Sequence, residues 1–129
     1  MSLNILGIIG GGQLGSMLAT AAKKIGIKTV IFCDDQDAPA QNFSDKFICG
    51  KYDDQNIIDE FMNAIDIATF EFENIPYETL NKINTIKSVL PNPSINKIVQ
   101  NRLFEKDYIN KLNIRTTQYV SIQNKEEIY

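Results

Sequence analysis

Apolar residues come along this chain in short blocks, and the blocks alternate between two spacings. Leu3 to Ile9 is nearly continuous, as in a strand covered on both faces. Gly10, Gly11 and Gly12 interrupt it. From Gln13 to Ile25 the apolar positions Leu14, Leu18, Ala21, Ala22 and Ile25 recur at helical spacing, and Gly26 stands where a helix ends in a left-handed residue. IKTVIFC is a second buried strand ending at Asp34, DDQDAPAQNFSD a polar loop, and KFICG a third strand. Asp53 is placed to cap a helix whose inner face is Ile57, Ile58, Phe61, Met62 and Ile65. DIATFEF is a fourth strand. Pro76 opens the next helix with Asn74 as its cap, and Tyr77, Leu80 and Ile83 give that helix its apolar side.

SVLPN reads as a short fifth strand. Ser94 caps a further helix, and RLFEKDYINKL continues helical to about Leu112. TTQYVSI is β-prone, and QNKEEIY looks like the beginning of another helix. Strand and helix in alternation predict an α/β fold, an open and mainly parallel sheet with helices on both faces. The abrupt end suggests the first domain of something longer.

The 129 residues suit one domain, with 43% hydrophobic and 22% charged residues. Net charge is −3, and the two arginines, Arg102 and Arg115, stand apart among scattered lysines. That excludes a concentrated basic face for nucleic acid. There is no histidine, which removes the commonest metal ligand and general base. Cys33 and Cys49 fit no zinc spacing and read as reduced thiols in the core. No run approaches a membrane span, and the N-terminus lacks the basic region of a signal peptide, so the expected location is cytoplasmic.

Gly10-x-Gly12-x-x-Gly15 follows a strand and opens a helix, the context of a dinucleotide fingerprint. Asp34 ends the second strand, where an acid can hold a ribose hydroxyl. The motif by itself leaves NAD, another anion and an unliganded turn all open. Gln13, at the mouth of the helix, is either a solvated residue or a contact to a ligand on the turn. In FEFENIP, Glu71 and Glu73 are two apart and point the same way if the strand persists. Strand ends of open α/β sheets carry ligands, so the glycine turn and both acids are expected to face one crevice. The alternative is that one glutamate caps a helix near Pro76 and the other is solvated. Arg102 and Lys106 share a helix face, a common arrangement of wet surface.

GIIGGGQLGSML, DAPA, ATFEFENIP and QNRLFEK, in this order, resemble the 5-(carboxyamino)imidazole ribonucleotide synthase family. The glycine-glutamine-leucine turn is shared with sibling ligases such as formate-dependent glycinamide ribonucleotide transformylase, whereas Phe-Glu-Phe-Glu-Asn-Ile discriminates better. The family usually has tyrosine before the first Glu and arginine after Gly15, where this chain has Phe70 and Ser16.

The resemblance implies a Rossmann-like pre-ATP-grasp domain over residues 1–115 that binds no NAD, with 116–129 starting the ATP-grasp domain. It implies a ligase that uses ATP and Mg2+ to activate bicarbonate and carboxylate aminoimidazole ribonucleotide in purine biosynthesis, as a homodimer. It matches Gly12, Gln13 and Leu14 to the loop facing the ribonucleotide. Glu73, and less directly Glu71, match the acid contacting that substrate, and Arg102 matches an arginine touching ATP. No catalytic or metal-binding residue falls in the chain. The rivals are a sibling ATP-grasp ligase, an NAD-binding domain and a non-catalytic binding module.

Overall fold

The computed structural model describes residues 4–128. Leu3, where the first strand was expected to begin, and Tyr129 lie outside them. Four strands, β1 (Ile5–Ile9), β2 (Lys28–Cys33), β3 (Lys46–Cys49) and β4 (Ile67–Phe70), form one sheet in the order β3-β2-β1-β4. Every pairing is parallel. The chain runs outward from β1 through β2 to β3, then returns to the other side of β1 for β4. The order therefore reverses between β1 and β4, and the gap beyond their carboxyl ends is the switch point where open α/β sheets hold ligands.

Helices cover both faces, as the alternating pattern predicts. Against one face lie α1 (Gln13–Lys24) and a 3-10 turn at Pro39–Phe43, over Ile8, Ile31, Cys33, Ala38 and Ala40. Against the other lie α2 (Gln55–Ala64) and α3 (Tyr77–Asn84), over a larger core that includes Ile9, Phe32, Phe61, Leu80 and Ile83. Two more helices follow, α4 (Pro93–Val99) and α5 (Arg102–Lys111). Among the described residues no helix is long and apolar enough to cross a membrane.

The buried stripe of α1 differs from the expected one. Gly15, Ser16, Ala19 and Ala22 face inward, while Leu14, Leu18 and Ile25 are 55%, 38% and 73% exposed. The helix sits too close to the sheet for large side chains: a Cβ on Gly15 would lie 2.9 Å from the Gly10 carbonyl oxygen. Small residues therefore take the inner face and the large ones turn outward. The far end of α1 is as expected. Gly26 has φ +77°, its N–H donates to the Lys23 carbonyl at 3.1 Å and that of Ile27 to the Ala22 carbonyl at 3.0 Å, the double closure of a Schellman motif.

Caps shift by a residue or two. Asp54, not Asp53, accepts the N–H groups of Asn56 and Ile57 at the start of α2. Pro76 occupies the cap position of α3 with no side-chain acceptor, so Asn74 is not its cap. Asn92 rather than Ser94 caps α4, accepting the Ser94 N–H at 2.9 Å. Asn101 starts α5 afresh by accepting from Leu103 and Phe104, which breaks the expected continuous helix in two.

The fifth strand is only a single parallel bridge between Ala68 and Val89, whose last bond is the Leu90 N–H donated to the Ala68 carbonyl at 2.9 Å; β4 itself ends two residues later at Phe70. TTQYVSI forms no strand, and Lys125–Ile128 is one 3-10 turn. Cys33 and Cys49 are register partners on neighbouring strands, both unbridged, and Cys49 is only half-buried.

Candidate functional site

The glycine turn follows β1 at the switch point. The Gly10 N–H still donates to the Phe32 carbonyl at 2.8 Å, and the Gly11 carbonyl accepts the Ala40 N–H at 3.0 Å. These bonds fix the turn between β2 and the 3-10 segment. Gly12 is the cap residue of α1 and has no side chain with which to cap it.

Glu71 supplies the missing cap from across the sheet. β4 ends at Phe70, and the Glu71 N–H makes one more ladder bond, to the Ile9 carbonyl at 3.1 Å. Its side chain then turns onto the glycine loop. Glu71 Oε1 accepts the Gly12 N–H at 2.8 Å and Oε2 accepts the Gly15 N–H at 2.7 Å. These are N–H groups of the first turn of α1, which no intrahelical carbonyl reaches. A carboxylate there also meets the positive end of the helix dipole.

Glu73 goes elsewhere. Because the strand ends before it, the expectation that both acids share one face and one crevice does not hold. Glu73 lines a polar pocket of about 360 Å³ with Asn74, Gln100, Arg102 and Glu105. The backbone that carries Glu73 is held by α4. Gln100 Nε2 donates to the Glu73 carbonyl at 2.8 Å and to the Ile75 carbonyl at 2.7 Å, and the fully buried Asn96 donates to the Ile75 carbonyl at 2.8 Å. Arg102 is exposed and ion-paired with Glu105. That bond, reinforced by the charge on Glu73, pushes the guanidinium pKa up.

The crevice over the glycine turn has a volume of about 220 Å³ and is lined by Gly11, Gly12, Cys33, Asp34, Asp35, Tyr52 and Glu71 among others. Asp34, the acid expected at the end of the second strand, is therefore on its wall. Sequence reasoning missed Tyr52 and Asp35, and took Cys33 as core alone. Burial pushes the Cys33 thiol up, and burial beside Cys33 and Asp34 pushes the Tyr52 hydroxyl up further. Both groups are neutral at pH 7. The Tyr52 oxygen has no hydrogen-bond partner of good geometry among the described residues. The signal available was the position of Cys33 at a strand end; Tyr52, in the β3–α2 loop, carried none.

The other expected residues lie outside this crevice. Gln13 lines an apolar hollow of about 640 Å³ on the outer side of α1, with Met17 and Phe43. Leu14 lines a groove beside Phe70 and Glu71. The apolar hollow is larger than the crevice, but the convergent polar groups are at the strand ends. Lys106 belongs to neither site and bonds Thr117 Oγ1 at 2.8 Å. Among the described residues no group of three or more His, Cys, Asp or Glu is placed to hold a metal ion.

The model of the ribonucleotide synthetase pre-ATP-grasp domain matches residues 3–100. A bifunctional purine synthesis protein, purC/E, of Dictyostelium discoideum is 36% identical over 95% of this chain and 12% of its own length. The N5-carboxyaminoimidazole ribonucleotide synthase of Brucella melitensis is 37% identical over 95% of this chain and 34% of its own. Among solved structures, N5-carboxyaminoimidazole synthetase from Staphylococcus aureus, complexed with ADP, superimposes with a TM-score of 0.89 at 31% identity. That match covers 97% of this chain and 34% of the other. The chain thus spans about a third or less of the length of these relatives. It belongs to the ribonucleotide synthetase pre-ATP-grasp domain family.

Proposed function

We propose that the chain provides the ribonucleotide-facing side of an ATP-dependent ligase. The ligase carboxylates 5-aminoimidazole ribonucleotide with bicarbonate to the N5-carboxyamino product in purine biosynthesis. The observation that carries this reading is the likeness to N5-carboxyaminoimidazole ribonucleotide synthase along 95% of the chain. The sibling ligases are not favoured by it, and neither is a dinucleotide site, whose anion position Glu71 fills.

The residues suit such a substrate. A carboxylate has about four acceptor positions, and the glycine turn uses two of those on Glu71. The remainder are free for the amine or hydroxyl donors of a ribonucleotide, as strong charge-assisted bonds. Gly12 lines that crevice, whereas Gln13 and Leu14, next to it in the loop, line two other hollows; we assign all three to the loop facing the ribonucleotide. Arg102, exposed in the second pocket beside Glu73, is the cation we assign to ATP. The reading takes Glu73 as the acid that faces this pocket and the substrate junction. Magnesium is left mainly to the ATP-grasp part of the enzyme, since no group of three or more His, Cys, Asp or Glu among the described residues is placed to hold an ion. The reading takes 1–115 as the pre-ATP-grasp unit and 116–129 as leading into the ATP-grasp domain, in a cytoplasmic homodimer.

The test is ADP formation by the complete gene product with ATP, magnesium and bicarbonate. The expected result is turnover that requires aminoimidazole ribonucleotide. Turnover driven equally by glycinamide ribonucleotide with formate would assign the chain to the sibling ligase instead, and ATP hydrolysis indifferent to both would overturn the reading.

A further inference from the structure

We infer that Glu71 is the resident anion of the glycine turn, and that it determines specificity by keeping phosphate groups off the N-terminus of α1. A glycine turn that opens a helix ordinarily presents free amides to a ligand phosphate. Here the Gly12 and Gly15 amides are already spent on the two oxygens of one side chain, at 2.8 and 2.7 Å.

The glycines themselves serve that side chain. A Cβ on Gly10 would lie 2.4 Å from Glu71 Cγ, and one on Gly12 would lie 2.9 Å from Glu71 Oε1. In a dinucleotide turn the corresponding space admits a pyrophosphate. In this chain it admits Glu71. The crevice adds a second barrier, because its walls carry Asp34 and Asp35 together with Glu71, and no lysine or arginine. A phosphate entering it would displace a carboxylate and gain no cation. A neutral or cationic donor meets the three carboxylates instead. The fingerprint is thus kept in form while its ligand preference is reversed, and this holds whichever reaction the whole protein performs.

The experiment follows the backbone amide signals of Gly12 and Gly15 in the isotope-labelled chain during titration with inorganic phosphate. In the wild type both signals should stay in place. In Glu71→Ala they should move together and saturably, with phosphate affinity raised by roughly tenfold or more. Movement in the wild type at the same affinity as the variant would overturn the inference. So would a folded Glu71→Ala whose two amides ignore phosphate. Should the alanine variant fail to fold, Glu71→Gln keeps the shape and removes the charge. Phosphate must then shift the two amides more than in the wild type, and a folded Glu71→Gln as silent as the wild type would overturn the inference as well.

Discussion

Glu71 reaches across 56 positions of sequence to accept the N–H of Gly15 at 2.7 Å, so the end of β4 caps the helix that follows β1. The first prediction concerns the strength of that link. Charge-assisted hydrogen bonds contribute about 1.5–3 kcal/mol each when partly buried, and water recovers part of the loss when they are cut. Glu71→Ala should therefore lower unfolding stability by about 2 kcal/mol, read from the urea midpoint at unchanged slope. A change within about 0.5 kcal/mol would mean that the two bonds do not persist in solution.

The second prediction separates two glycines. Gly12→Ala puts a methyl group 2.9 Å from Glu71 Oε1, at an ordinary extended φ of −75°. Its cost should come mainly from dislodging Glu71. In a double-mutant cycle, most of that cost should vanish in the Glu71→Ala background, a coupling of roughly 1 kcal/mol or more. Gly10 differs, because its φ of +109° strains any side chain whatever its neighbours. Gly10→Ala should stay destabilising with or without Glu71. Equal relief of both glycines would contradict this account.

The four strands of the sheet, their parallel order and the glycine turn were legible because each rests on local pattern. Continuous apolar runs, Gly26 and the Gly10-x-Gly12-x-x-Gly15 spacing all act within a few residues. What was not legible depends on contacts distant in sequence. The inner face of α1 is set by how near the sheet lies, so Ala19 goes in and Leu14 out, against the hydrophobic order. The parting of Glu71 from Glu73 follows from where β4 stops, and beyond that point Gln100 and Asn96 hold the Glu73 and Ile75 carbonyls. Nothing within FEFENIP announces either partner.

A third prediction is a pH effect at the opposite end of the sheet. Asp66 accepts the N–H groups of Asn4 and Ile5, each at 2.9 Å, and those bonds hold its pKa below the ordinary value of 3.8. A carboxyl group whose folded pKa is depressed contributes stability above its unfolded pKa and loses it as pH falls through the folded one. The contribution of Asp66 is thus complete above about pH 4 and fades below it. Asp66→Asn should flatten the fall of stability in that acid range and leave its slope near pH 7 unchanged. An identical acid slope in the two proteins would refute the assignment.

A fourth prediction concerns the α4 clamp. Asn96 is fully buried and gives its one N–H bond to Ile75, which Gln100 also holds. Asn96→Ala opens a cavity and should cost about 2–3 kcal/mol of stability. Gln100→Ala removes partly exposed bonds and should cost about 1 kcal/mol. The smaller change should disturb the site more, since only Gln100 reaches the Glu73 carbonyl, at 2.8 Å. Faster amide exchange confined to residues 71–76 in Gln100→Ala is the expected signature, and uniform exchange across the sheet would argue for a purely structural role.

The last prediction uses the parting of the two acids in the complete gene product. Glu71 lies on the crevice wall with Gly12, whereas Glu73 shares its pocket with Arg102. If the ribonucleotide occupies the first and ATP approaches the second, their kinetic effects must separate. Glu71→Gln should raise KM for aminoimidazole ribonucleotide by roughly tenfold, the scale of one lost charge-assisted bond, and leave KM for ATP nearly unchanged. Arg102→Ala should do the reverse, because the exposed guanidinium is free to exchange its Glu105 partner for a phosphate. Glu73→Ala should follow Arg102 more than Glu71, since the charge of Glu73 bears on Arg102. A Glu73→Ala that raises only the ribonucleotide KM would show that both acids serve one substrate after all, with Glu73 turning toward it once the site is filled.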